Sequence, residues 1–124
     1  MNKRSPAVLI VEDEPLVRML AIEEFEEIGF IVHAANDAAT ALEMLQTIDP
    51  LELLFTDIQM PGSSNGWELG RQARALKPDI AVIYATGYGG DQAEPVEGSA
   101  TVRKPYLFSD IKAALRTVGV DAFP

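Results

Sequence analysis

Apolar positions along this chain alternate between two textures. Short runs of aliphatic and β-branched residues are separated by longer stretches in which apolar side chains recur every three or four positions. Ala7–Val11 (AVLIV) is continuous, apolar and β-rich, the pattern of a strand buried on both faces. Glu12, Asp13, Glu14 and Pro15 then read as a helix start, acidic at the N-terminus with proline near the first helical position. That helix is expected to run to about Ile28, where Gly29 stops it, with Val17, Leu20, Ala21, Phe25 and Ile28 on one face. Residues 30–35 read as a second strand. Asp37 is placed to cap a second helix ending near Gln46, with Ala38, Ala41, Leu42 and Leu45 as its apolar stripe.

The alternation continues to the end of the chain. Residues 53–56 form a third strand pattern, stopped by Asp57 and by a turn-forming run over 60–66. A helix is expected over 67–76 and a fourth strand over 80–85. Gly87, Gly89 and Gly90 open a loop, and residues 91–98 carry the weakest helix signal in the chain. Residues 101–103 make a short fifth strand. Lys104–Pro105 leads into an amphipathic helix over 107–118, capped by Ser109 or just before it. Five strands regularly separated by helices predict a doubly wound α/β fold with a parallel sheet and about five helices, a single domain over 1–124 with its core at about 7–118 and frayed ends. In such sheets ligands bind beyond the carboxyl ends of the strands. The residues just past those ends are Glu12 and Asp13, Asp57, Thr86 and Lys104.

Composition narrows the chemistry available there. The 124 residues fit one domain, and 48% hydrophobic content supports a substantial core. With no cysteine and a single histidine, His33, thiolate and multi-histidine metal sites are excluded, and any metal must be a hard cation on oxygen ligands. The apolar runs are too short to span a bilayer and no secretory signal is recognisable, so a cytoplasmic protein is expected. A net charge of −9 opposes direct nucleic-acid binding.

Adjacent carboxylates repel unless a cation compensates, so Glu12 and Asp13 beside Asp57 suit Mg²⁺. Thr86 offers a hydroxyl and Lys104 a point charge to a phosphoryl oxygen. A carboxylate nucleophile with metal, hydroxyl and ammonium makes a phosphoryl-transfer site. Singly, each piece has a plainer reading: the acidic run as a helix cap, Asp57 as a loop aspartate, Thr86 as a strand exit, Lys104 as a solvated turn lysine, His33 as a strand histidine, Met60 as packing. Their joint occurrence at the ends of strands one, three, four and five is what those readings leave unexplained.

Val8-Leu-Ile-Val-Glu-Asp-Glu-Pro15, Thr56-Asp-Ile-Gln-Met-Pro61, Ala85-Thr86 and Val102-Arg-Lys-Pro105 resemble the CheY-like receiver domain of response regulators, over essentially the whole chain. The resemblance implies a flavodoxin-like sheet of order 2-1-3-4-5 and a phosphoacceptor aspartate at Asp57, modified to 4-aspartylphosphate. The donor would be a phosphohistidine on a histidine kinase or histidine phosphotransfer protein. It implies Mg²⁺ on Asp13 and Asp57, with Glu12 acting directly or through water and Gln59 giving its backbone carbonyl. Thr86 would be the switch hydroxyl and Lys104 the phosphate-side lysine, before a cis proline bond. The domain would switch the binding of an effector, as monomer or weak dimer, without turnover catalysis and with slow autodephosphorylation.

Two features depart from the family pattern. The position three residues before Lys104, usually Tyr or Phe, is Thr101, and Tyr84-Ala-Thr-Gly-Tyr88 resembles the FAT-GUY subset that lacks this aromatic switch. The expectation is that the glycine-rich stretch 87–98 is mobile and carries the response. The 62–66 loop is also one residue longer than the common pattern. Leu16 and Met19, beyond the core stripe, are candidates to receive a phosphotransfer helix pair. Two other classes share parts of this pattern. A phosphohydrolase with Asp57 as nucleophile requires a second carboxylate where Gln59 stands. A flavodoxin-like cofactor binder requires a glycine-rich phosphate loop after the first strand, and none is present; a receiver-like domain that is never phosphorylated is the remaining variant.

Overall fold

The computed structural model describes residues 5–60, 65–87 and 93–120. Within them the chain runs β1 (Ala7–Val11), α1 (Pro15–Ile28), β2 (Ile31–Ala35), α2 (Ala38–Thr47), β3 (Leu53–Asp57), α3 (Gly66–Leu76), β4 (Ala81–Thr86), β5 (Ala100–Arg103) and α4 (Phe108–Val118). The five strands form one parallel sheet of order β2-β1-β3-β4-β5. This is the expected flavodoxin-like arrangement.

Strand alternation divides the core in two. Leu9, Val11, Leu54, Val82 and Tyr84 face α2 and α3, while Val8, Ile10, Phe55, Ile83 and Val102 face α1 and α4. Every residue of β1 and β3 is buried, which is why these strands read as unbroken apolar runs. Phe25 of α1 anchors its side of the sheet, edge-on to Phe30 and to Phe55 at 5.2 and 5.0 Å between ring centres. The helix starts are made locally: Asp37 accepts the Thr40 amide at 2.7 Å, and Asn65 accepts the Glu68 amide at 2.9 Å. Gly29 and Gly119 close α1 and α4 at φ 120° and 79°, a region that favours glycine.

Several expectations need correction. Residues 93–98 are not helical, so the described residues contain four helices rather than about five. Pro95 lacks an amide proton and pushes Glu94 out of the helical region, and Gly98 sits at φ 76°. Leu20 is not in the core stripe of α1: Ala21, Phe25 and Ile28 are buried, and Leu20 lies 59% exposed beside Leu16 and Met19. Of the two cap positions expected for α4, the one before Ser109 is found: Leu107 holds the cap, and its amide donates to Asp110 Oδ2 at 2.8 Å. The chain enters β5 one residue early, at Ala100. The Lys104–Pro105 bond is cis, as is Asp49–Pro50. Residues 61–64 of the long loop, 88–92 of the glycine-rich stretch, and the outermost ends at 1–4 and 121–124 lie outside the described residues.

Candidate functional site

Parallel strands all exit on the same side, so β1, β3, β4 and β5 deliver their last residues to a common edge. Glu12 extends β1: its amide donates to the Ala35 carbonyl at 3.1 Å, which fixes the start of the acidic pair. Asp57 ends β3. Thr56 Oγ donates to the Asp57 carbonyl at 2.8 Å, and the Ile58 amide donates to Ala85. Thr86 ends β4, and its carbonyl accepts the Lys104 amide at 2.7 Å, so two of the site residues are joined directly through backbone.

Lys104 organises the carboxylates. Its Nζ lies 2.7 Å from Glu12 Oε1 and 3.1 Å from Asp57 Oδ2. Both acids are nearly enclosed, at 4% and 7% exposure, so the ammonium neutralises charge that water reaches poorly. Burial alone would lower the Lys104 pKa, but the hydrogen bonds to Glu12 and Asp57 outweigh it and hold the value above the ordinary one. The Glu12 pKa is raised as well, here by burial, which the bonds from Lys104 and the Glu14 amide do not fully offset.

One oxygen from each of Glu12, Asp13 and Asp57 falls within 4.8 Å of the other two. Three carboxylates clustered in this way are a donor set for a hard divalent cation. The three are not equivalent. Glu12 already accepts Lys104 on Oε1 and the Glu14 amide on Oε2, at 2.7 and 3.1 Å. Asp13 is half-exposed and makes no hydrogen bond or ion pair among the described residues. Gln59 stands two residues past Asp57 on the exposed rim. The acidic run is not a helix cap, since Glu14 occupies the cap position of α1 without a capping bond.

The structure thus assembles Glu12, Asp13, Asp57 and Lys104, with Thr86 tied to Lys104 by its backbone. It keeps Thr101 apart, exposed on β5. Two neighbours were not found by sequence reasoning. Arg18 Nη1 donates to the Glu12 carbonyl at 2.9 Å, holding the β1–α1 turn from the first turns of the helix. Tyr106 packs edge-on to Phe55 at 5.5 Å, and burial, with the charges of Glu12, Glu24 and Asp57, pushes its hydroxyl pKa up. Its place directly after Lys104–Pro105 was the available signal; for Arg18 there was none, because its contact is to backbone.

The chain resembles known proteins in both sequence and fold. Residues 8–116 match the family described as the response regulator receiver domain. The response regulator receiver protein CpdR of Brucella abortus is 31% identical over 108 residues, covering 84% of this chain and 88% of that protein. Several other curated relatives, sensor kinases and transcriptional activators among them, are longer proteins of which this chain spans half or less. Among solved structures, a response regulator receiver protein from Sinorhizobium medicae superposes with a TM-score of 0.86 at 24% identity, over 94% of this chain and 96% of the other. The response regulator TrrA of Thermotoga maritima, in complex with Mg²⁺ and BeF, gives 0.79 at 27% identity, over 91% and 98%. No helix among the described residues is long and apolar enough to cross a membrane.

Proposed function

The chain belongs to the response regulator receiver domain family of two-component systems, and on that premise we propose that Asp57 accepts a phosphoryl group from a phosphohistidine. The observation that carries this reading is the convergence of Asp57, Asp13, Glu12 and Lys104 from three separate strand ends. An Asp57 carboxylate oxygen forms the new P–O bond as the P–N bond to the donor imidazole breaks, and that imidazole departs with the bonding electron pair and takes up a proton. Attack by an anion on an anionic phosphoryl group requires charge to be masked. Lys104, 3.1 Å from Asp57, would do this, and Thr86 at the end of β4 would offer its hydroxyl to the transferred group. Asp13 and Asp57, with the Gln59 carbonyl at the rim, would hold Mg²⁺, and Glu12 would act mainly as the anchor of Lys104. The bound ion would supply Lewis-acid neutralisation of the phosphoryl oxygens. A complex of TrrA with Mg²⁺ and BeF supports the same cation here.

The donor would dock on α1. Leu16, Met19 and Leu20, at spacings of three and four residues, are 72%, 55% and 59% exposed and follow directly after Asp13. Phe108 of α4 borders the same helix, beside Glu23, Glu24 and Glu27. Exposed large apolar groups clustered next to a reaction site fit a histidine-bearing helix of a kinase or phosphotransfer protein. The chemistry ends on the protein's own side chain, so the domain acts as a phosphorylation-controlled binding module in the cytoplasm and not as a turnover enzyme. Beryllofluoride titration with Mg²⁺, followed by NMR, tests the reading. Saturable shifts around the site are expected in the wild type and not in Asp57→Asn; equal shifts in both would refute the assignment.

A further inference from the structure

The stretch 93–99 has neither helix nor strand, yet it is held against the fold at defined points. Val96 packs into the α2/α3 side of the core. Arg71 pairs with Glu94 at 2.8 Å, Arg74 donates to the Glu97 carbonyl at 3.0 Å, and Ser99 Oγ donates to the Val96 carbonyl at 2.6 Å. The polar ties among these come from α3 or from the stretch itself. One bond comes from the sheet: the Val96 amide donates to the Tyr84 hydroxyl at 3.1 Å.

Tyr84 is also where two paths from the phosphorylation site meet. It lies two residues before Thr86 on β4, so the two side chains leave the same face of the strand. The second path runs through α3. Gly66 donates its amide to Ile58 at 2.8 Å and is packed so closely that a Cβ there would sit 2.7 Å from Ile58 Cα and 3.0 Å from the Asp57 carbonyl carbon. The next residue, Trp67, lies on the Tyr84 ring at 4.5 Å between ring centres. Gly70, one turn on, leaves the room that the Tyr84 ring and hydroxyl fill. In register, Tyr84 faces Thr101 of β5. The large aromatic that Thr101 lacks therefore stands one strand inward, fully buried, with its hydroxyl turned to Val96.

We propose that Tyr84 is a positioning residue that couples the Asp57–Thr86 site to the 93–99 stretch, with its hydroxyl bond to the Val96 amide as the releasable latch. The inference rests on Asp57 being the phosphoacceptor. A small displacement of Thr86 or of the α3 start reaches the same ring, and the ring holds the stretch from beneath. Release of the Val96 amide would leave the exposed Arg71–Glu94 pair and the Arg74 contact as the remaining outside ties.

The test uses the full chain, whose single tryptophan is Trp67. Wild type and Tyr84→Phe are loaded with beryllofluoride and Mg²⁺. ¹⁹F NMR reports bound beryllofluoride, Trp67 emission reports the ring pair, and hydrogen exchange reports the Val96 amide. In the wild type, loading is expected to change Trp67 emission and to speed Val96 exchange by roughly tenfold or more. In Tyr84→Phe, loading is expected at an affinity within about twofold of wild type, with the Val96 amide already fast and unresponsive. A purely structural role for Tyr84 would slow or speed both states alike and leave the response intact. Unchanged Val96 exchange on loading of the wild type overturns the latch without any variant being needed, as does an equal response in Tyr84→Phe. Absence of any bound ¹⁹F signal in the wild type would instead remove the phosphoacceptor reading on which the latch depends.

Discussion

Gly70→Ala is the substitution whose outcome the packing around Tyr84 most sharply determines. On an exposed helix the change should stabilise, because alanine exceeds glycine in helix propensity by about 1 kcal/mol. Gly70 is buried in the middle of α3, and an added Cβ would lie 3.0 Å from Tyr84 Cζ, 3.1 Å from Cε1 and closer still to the hydroxyl oxygen. The Tyr84 ring is fully buried, packed at a tilt against Trp67 and fixed by its bond to Val96, so it has little space to yield. Overpacking of this kind costs about 2 kcal/mol, and loss of the Val96 bond about 1 kcal/mol more. Set against the propensity gain, the net is a destabilisation of about 2 kcal/mol. Urea unfolding should show a midpoint lowered by roughly 1 M. A double-mutant cycle sharpens the reasoning. Tyr84→Phe alone should destabilise by about 1 kcal/mol. In the Gly70→Ala background it removes the most crowded atom, and the two changes should fall short of additivity by about 1 kcal/mol or more. A Gly70→Ala protein as stable as wild type, or a cycle additive to within about 0.5 kcal/mol, would refute the account.

Lys104→Ala leaves Glu12 and Asp57 enclosed without their cation, and a loss of about 3 kcal/mol is expected in EDTA. Mg²⁺ should restore part of that loss, as read by the urea midpoint. Asp57→Asn removes one of two like charges sharing Lys104, so without divalent cation it should raise stability by about 1 kcal/mol and abolish most of the stabilisation by Mg²⁺. Asp37 caps α2, and its bond from the Thr40 amide holds its pKa below the ordinary 3.8. A depressed acid stabilises the fold above its unfolded value and ceases to as pH falls through the folded one, so Asp37→Ala should lower Tm at pH 7 and have little effect once the pH is well below 3.8.

What could be read from the sequence divides along physical lines. Elements whose signals are local were recovered within a residue or so: the apolar run of β1, Pro15 at the start of α1 and Gly29 at its end, Asp37 before α2. The site edge followed from topology, because parallel strands must all exit on one side and Glu12, Asp13, Asp57, Thr86 and Lys104 each stand at an exit. The errors arose where a residue's role is set by what packs against it. Leu20 satisfies the helical period yet faces outward, since the buried arc of α1 is centred on Ala21, Phe25 and Ile28. Arg18 is invisible as a partner because it binds a carbonyl that any residue at position 12 would offer.

The stretch after β4 shows how one residue can be read correctly in composition and incompletely in role. Pro95 and Gly98 weaken any helix there, and weak local structure suggested mobility. The absence of secondary structure is not the absence of contacts, and Val96, Glu94 and Glu97 are each tied to α3 or β4. An element held by a few discrete side-chain contacts, without a ladder of its own, is suited to switching: its bound and released forms differ by few interactions, and each has an identifiable partner. Tyr84 supplies the contact from the sheet, two residues from Thr86. On the proposed coupling, the departure at Thr101 leaves an aromatic beside it in register, Tyr84 of β4, where strand, α3 and the 93–99 stretch converge.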